Sequence, residues 1–242
     1  MLEQYKTIGQ QAQKEIVEKK SRFIATVRPV KTEEEAKAFI EEMKKKYWDA
    51  THNVFAYQIG QKNEIQRFSD DGEPQGTAGM PVLDVLQKED IKNTAIVVTR
   101  YFGGTLLGTG GLVRAYGKAA KEGLLAAGIW EVVFYKKFDA SVSYTDAGKA
   151  QYEILQAGYT LYDTIYTENV TYIVLTTASQ GDLFLKKMID ITSNRVQIKE
   201  DTPFYGAWVN GQLQILWFFY RKNTSILQNG LSICIIFHVV KK

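Results

Sequence analysis

Five glycines fall within the nine residues from Gly103 to Gly111. Before them stands Thr94–Thr99, a β-branched run of the kind that fills buried central strands. After them comes an apolar stretch with helical periodicity, from about Leu112 to Ala127, with Gly128 as its stop. Glycine permits positive φ and close backbone approach, so this part of the chain reads as strand, shaped loop and helix. A helix that starts in such a loop aims several backbone N–H groups at one point, which is an anion-binding arrangement.

The local charge agrees with that reading. No acid occurs between Asp90 and Glu122, an interval that carries Lys92, Arg100, Arg114, Lys118 and Lys121. Arg114, Lys118 and Lys121 stand at i, i+4 and i+7 and so share one helix face. Tyr101, Phe102 and Tyr116 add rings of the type that stack on bases. The net charge of the whole chain is only +3, too small to imply nucleic-acid binding, so the expectation rests on this segment. It names Arg100, Tyr101, Gly103, Gly104, Gly108, Gly110, Gly111, Arg114, Lys118 and Lys121 as an anion- or nucleic-acid-binding surface. The competing reading is a tight turn demanded by packing, beside a solvated basic helix face. No Gly-Lys-Ser/Thr follows the loop, so it is not a Walker A motif. Gly108-x-Gly110 begins a dinucleotide fingerprint, but Val113 occupies the third glycine's place.

A second loop, Asp70 to Pro81, holds Asp70, Asp71, Gly72, Glu73, Pro74, Gly76, Thr77 and Gly79. Its carboxylates suit either a divalent cation or acid–base work. They also suit an acidic turn that caps the next helix and pairs with Arg100 or Arg114. His52, in Ala50-Thr51-His52-Asn53, suits either a general base or a loop-fixing hydrogen bond. No zinc spacing, nucleophile elbow or nucleophile–base pair appears, so no metal, cofactor or catalytic residue is expected.

Along the chain the pattern reads β-α-β-β-α-β-α to residue 130. Strands are expected at Phe23–Val27, Val54–Ile59, Ile65–Phe68 and Thr94–Thr99. Thr32 and Glu35 form a capping box ahead of a helix whose apolar face is Ala36, Phe39, Ile40, Met43 and Tyr47. From 131 to 210 the order is β-α-β-β-α-β, the ferredoxin-like signature. Within it Asp146 is expected to cap one helix, Ser179 with Asp182 another, and Arg195–Lys199 to form the last strand. Residues 211–242 make an atypical apolar tail rich in large side chains, Trp217, Phe218, Phe219 and Tyr220 among them. Such a stretch fits an extra hairpin, a homodimer contact or sequence foreign to the fold. One cysteine, Cys234, excludes an internal disulfide and points to a reducing, cytoplasmic setting. The N-terminus lacks a signal-peptide core, and no apolar run is long enough to span a bilayer.

Four segments, taken in order and at this spacing, carry a resemblance. They are Lys20-Ser21-Arg22-Phe23, Ala50-Thr51-His52-Asn53, the Asp70 to Gly79 loop, and Arg100-Tyr101-Phe102-Gly103-Gly104 continuing to Arg114-Ala115-Tyr116. Together they resemble the YigZ/IMPACT family, closely over about residues 15–128. The resemblance implies an α+β protein with two parts. The first is an N-terminal two-layer α/β domain similar to domain IV of elongation factor G. The second is a C-terminal ferredoxin-like domain. It implies a tie to translation too, because eukaryotic relatives regulate translational stress signalling. This chain departs from many members in carrying Leu106 where they have lysine, and Val54-Phe55 where they have a small or polar pair.

The resulting expectation is a non-enzymatic binding protein or regulator. Its partner would be RNA, the ribosome or a translation-associated protein, with no membrane involved. The alternative is an enzyme acting on a phosphorylated small molecule or nucleotide, with a metal at the Asp70–Glu73 loop.

Overall fold

The computed structural model describes residues 2–216. The chain divides into two units, Tyr5–Glu131 and a second that begins at Val132 and takes in Leu2–Gln4. No helix among the described residues is long and apolar enough to cross a membrane.

The first unit runs β1 (Gln4–Ile8), β2 (Ala12–Glu18), β3 (Ser21–Pro29), α1 (Glu33–Lys46), β4 (His52–Ile59), β5 (Ile65–Ser69), α2 (Gly79–Lys88), β6 (Thr94–Tyr101) and α3 (Thr109–Ala127). Its antiparallel sheet has the order β2-β3-β6-β4-β5, which puts the β-branched run at the centre. Helices cover both faces. Ile96 and Val98 of β6 join Val54, Ala56, Leu86, Leu112 and Leu124 beneath α2 and α3. Ala95 and Val97 join Phe39, Ile40, Met43 and Tyr57 beneath α1. A strand buried on both faces must be apolar at successive positions, and Thr94–Thr99 reads that way.

The Thr32 hydroxyl accepts from the Glu35 N–H at 3.2 Å, and the Glu35 carboxylate accepts from the Lys31 N–H at 2.6 Å. The expected capping box is therefore present, its return bond displaced one residue upstream. β1 and β2 were not expected. β2 is a mostly exposed edge strand that offers only Ala12 and Ile16 to the core, so it lacks a continuous apolar signal. Its hairpin with β3 turns through Lys19 and Lys20, at φ 44° and 69°. A two-residue turn with both φ values positive usually advertises itself with Asn-Gly, and two lysines give no such signal.

The second unit runs β7 (Ile129–Val142), α4 (Tyr144–Gln156), β8 (Thr160–Tyr166), β9 (Val170–Thr177), α5 (Gly181–Ile191), β10 (Gln197–Glu200), β11 (Phe204–Val209) and β12 (Gln212–Leu216). β10, β7, β9 and β8 lie side by side, all antiparallel, which is the ferredoxin-like order. Phe138, Ala140, Tyr172 and Val174 point to the side of Ile154, Phe184 and Met188 from the two helices.

Three local expectations change. Ser143, not Asp146, caps α4, and the Asp146 carboxylate pairs with Arg195 at 2.8 Å. That pairing is the main cause that lowers the Asp146 pKa. Ser179 gives its hydroxyl and its N–H to Glu3 at 2.7 and 2.8 Å, so it does not cap α5. Arg195–Lys199 does not hold the last strand, because β11 pairs with the first half of β7 and β12 with β11. β12 falls inside the segment read as an atypical tail. Trp217, Phe218, Phe219, Tyr220, Cys234 and His238 lie outside the described residues.

In α3, a Cβ on Gly123 would stand 2.8 Å from Val27 Cγ2 and 2.9 Å from the Ala25 Cβ. Helix and strand meet there with no room for a side chain. Gly123→Leu is expected to lower the stability of this unit by about 1–3 kcal/mol despite leucine's better helix propensity. Chemical denaturation followed by far-UV circular dichroism would measure it.

Candidate functional site

Strand register brings the four motif segments to one end of the first sheet. Arg22, near the start of β3, pairs with Tyr101 at the end of β6, and His52 at the start of β4 pairs with Arg100. The β2–β3 turn, the loop before β4, the loop before α2 and the glycine loop before α3 therefore all emerge at this end.

Beneath them lies a charged cluster. The Arg100 guanidinium donates from Nη1 to Glu73 Oε1 at 2.6 Å, with side-chain exposures of only 6% and 4%. The Tyr116 hydroxyl donates to the same oxygen at 2.7 Å. Arg100 Nη2 donates to Ser21 Oγ at 3.3 Å, and that oxygen also accepts the Gly103 N–H at 3.2 Å. The Phe23 and Phe102 rings stand 5.4 and 5.5 Å from the guanidinium carbon, and Arg100 Nε is buried with no partner. Burial first, and the Glu73 carboxylate second, push the Tyr116 phenol far above its ordinary range. Arg100 and Tyr116 thus serve the interior and not the anion-binding surface, and the acidic loop pairs with Arg100 as the other reading of that loop had it.

The acidic loop is spent on its own shape. Asp70 accepts from the N–H groups of Gly76, Ala78 and Gly79 at 2.8, 3.1 and 2.8 Å. It thereby caps α2, whose N-cap residue Ala78 has no side chain able to do so. The Asp71 carboxylate accepts the Asn53 N–H at 2.6 Å, and the Thr77 hydroxyl donates to the Pro74 carbonyl at 2.7 Å. His52 Nδ1 lies 2.8 Å from the Asp71 carbonyl oxygen. A carbonyl only accepts, so Nδ1 carries the hydrogen. Nε2 then faces Glu73 Oε1 at 3.8 Å. A Cβ on Gly72, at φ 86°, would stand 3.6 Å from this ring. Among the described residues no three His, Cys, Asp or Glu side chains converge as a metal site would require.

The glycines divide by role. Gly103 is a packing glycine, since a Cβ there would lie 2.1 Å from the Lys20 carbonyl carbon. Gly104 and Gly108, at φ 79° and 71°, face open space and turn the chain into α3. Gly110 and Gly111 form its first turn, which has neither a side-chain cap nor an acid. Phe102, Leu106 and Val113 are exposed around it.

The basic stripe is less free than its spacing suggests. Lys118 pairs with Glu18 at 2.8 Å and Lys121 with Glu89 at 2.5 Å. Tyr101 is held through its hydroxyl by Asp49 at 2.8 Å. Arg114 is exposed and makes no ion pair among the described residues, and the same holds of Lys19 and Lys20. Neither lysine was read as a binding residue from the sequence, although Lys20 opens one of the four motif segments, because only the hairpin fold places them beside the glycine loop. Tyr116 was noted in the sequence as a ring able to stack on bases, but its inward direction was not.

Glu73→Ala would leave Arg100 buried without its counter-charge, a loss expected to cost about 3–5 kcal/mol. Tyr116→Phe removes one donor to that charged carboxylate and should cost about 1.5–3 kcal/mol. Paired denaturation curves for the two variants check both the order and the gap.

With this geometry in place, comparison with known proteins is informative. The Impact N-terminal domain model matches residues 19–124, and a second model, a domain of unknown function (DUF1949), matches residues 141–195. The chain is 44% identical to IMPACT family member YvyE of Bacillus subtilis over 205 residues, covering 85% of this chain and 94% of that one. It is 35% identical over 182 residues to an IMPACT family member of Thermus thermophilus, covering 74% and 98% of the two chains. A crystal structure described as that of a hypothetical protein is 30% identical and covers 82% of this chain and 97% of its own, with a TM-score of 0.53. Matched along almost the full length of such relatives, with its motif segments gathered at one end of one sheet, the chain belongs to the IMPACT family.

Proposed function

We propose that this chain is a non-enzymatic binding protein or regulator linked to translation. It contacts RNA, the ribosome or a translation-associated protein through the loop end of its first unit. The observation that carries the reading is the charge balance there. Asp49, Asp70, Asp71 and Glu73 are each engaged by hydrogen bonds inside the protein. Lys19, Lys20 and Arg114 remain exposed without a counter-charge among the described residues. They stand beside an α3 N-terminus that has no acid in its first turn. These cations are charges at this end left exposed without a hydrogen-bond or ion-pair partner among the described residues, and an anionic partner fits them. The translational link rests on the family resemblance and comes to this chain as part of the proposal.

The enzymatic alternative gains nothing from the acidic loop. Asp70, Asp71 and Glu73 point to different partners and so do not converge on one point as a metal cradle would.

RNA affinity should fall steeply with salt. In the Lys20→Ala/Arg114→Ala double variant, the slope of log affinity against log salt should shrink by about 1.4 for a single strand. Lys118→Ala, which removes a cation already held by Glu18, should change it less. Fluorescence anisotropy across a salt series measures both slopes, and an unchanged affinity in the double variant refutes the proposal.

A further inference from the structure

Two aromatic side chains at this end are exposed far beyond what packing requires. Trp48, between α1 and β4, is 81% exposed, and Phe102, at the head of the glycine loop, is 46% exposed. Their loops are tied together. The Phe102 N–H donates to Thr51 Oγ1 at 3.1 Å, and the Thr51 N–H donates to the Arg100 carbonyl at 2.9 Å. The Tyr101 hydroxyl donates to Asp49, the neighbour of Trp48, at 2.8 Å. Both rings therefore stand on held backbone, and little conformational freedom is left to lose when something packs on them.

Cations flank the pair. Lys45 lies in the last turn of α1 ahead of Trp48, while Lys19, Lys20 and Arg114 line the side toward the glycine loop. All four are exposed and none makes an ion pair among the described residues. Of the nearby acids, Glu15 is paired with Arg22 and Glu18 with Lys118, and Asp49 is turned to the Tyr101 hydroxyl. A surface that joins flat apolar rings to uncompensated cations complements a ligand with flat apolar faces on a regularly charged backbone. A duplex hides its base faces, and an acidic peptide has the charge without the stacking planes. An unpaired nucleic-acid strand has both.

We infer that the loop end binds single-stranded RNA, with bases stacked on Trp48 and Phe102 and phosphates held by Lys19, Lys20, Lys45 and Arg114. The inference rests on the proposed function and narrows it to one ligand class and one mode of contact. It separates two contributions that respond differently to salt. Stacking releases no counterions, so removing a ring lowers affinity at every salt concentration and leaves the slope alone. Removing a cation changes the slope.

The test uses the full chain and a fluorescent 12-nucleotide single-stranded RNA, compared with the same sequence locked into a duplex. Trp48→Ala and Phe102→Ala should each weaken single-strand binding by about 5- to 150-fold with an unchanged salt slope. Trp48→Phe should keep most of the affinity, and the duplex should bind more weakly than the single strand. Matching thermal melts verify that the variants fold, as replacement of such exposed side chains allows. If neither ring matters while Lys20→Ala/Arg114→Ala still weakens binding, this inference fails and the broader proposal stands. Equal affinity for the duplex, or displacement of the RNA by an alternating Asp-Glu peptide at equal charge concentration, also overturns it. If no RNA binds the unmodified chain at all, this inference fails, and the broader proposal keeps only its ribosomal or protein partner.

Discussion

The loop end of the first unit depends on one ion pair. Arg100 and Glu73 come from the end of the central strand and from the acidic loop, and they meet where almost no water reaches either. A buried pair gains little net stability over an apolar pair of similar shape, but it tolerates the loss of neither partner. Its value here is positional. The same carboxylate oxygen holds Tyr116 of α3, and the same guanidinium reaches Ser21 at the β2–β3 hairpin, whose hydroxyl receives the first N–H of the glycine loop. Four separate stretches of chain are thereby fixed to one another by two charged groups.

That arrangement explains why charges placed together by sequence are separated in space. Arg100 and Arg114 both belong to the acid-free interval, yet one is buried and the other stands in solvent. A cation in a β-branched central strand has no route outward and must find its counter-charge inside the fold. A cation on the solvent side of α3 stays free unless another element brings an acid to it. Glu18 does so for Lys118 and Glu89 for Lys121, and no acid does so for Arg114 among the described residues.

The fold was legible wherever burial imposes a period. The central strand, the apolar face of α1 and the order of the ferredoxin-like unit follow from apolar spacing, and the structure has them. β2 was not legible, because an edge strand buries too little to be patterned and its turn uses lysines at positive φ. The caps of α4 and α5 misled, because the side chains that looked available were claimed by Arg195 and Glu3 from far along the chain. In the site, the glycines, the acidic loop and His52 were found as residues. Their partners were invisible, since hydrogen bonds spanning 43 or 82 positions leave no local trace.

The contact of Gly103 with the Lys20 backbone carries a consequence for how this end comes into being. The glycine loop takes its shape against a hairpin more than eighty residues upstream, so a peptide spanning the loop and α3 would lack the wall that moulds it. Closing so long a segment is slow and costs entropy before any contact repays it. The β3–β6 pairing, with Arg22 opposite Tyr101, closes the same span, so the loop takes its shape only once those two strands have met. A change confined to the Lys19–Lys20 turn would remove that wall while β3, whose Phe23, Ala25 and Val27 are buried, keeps its place beside β6.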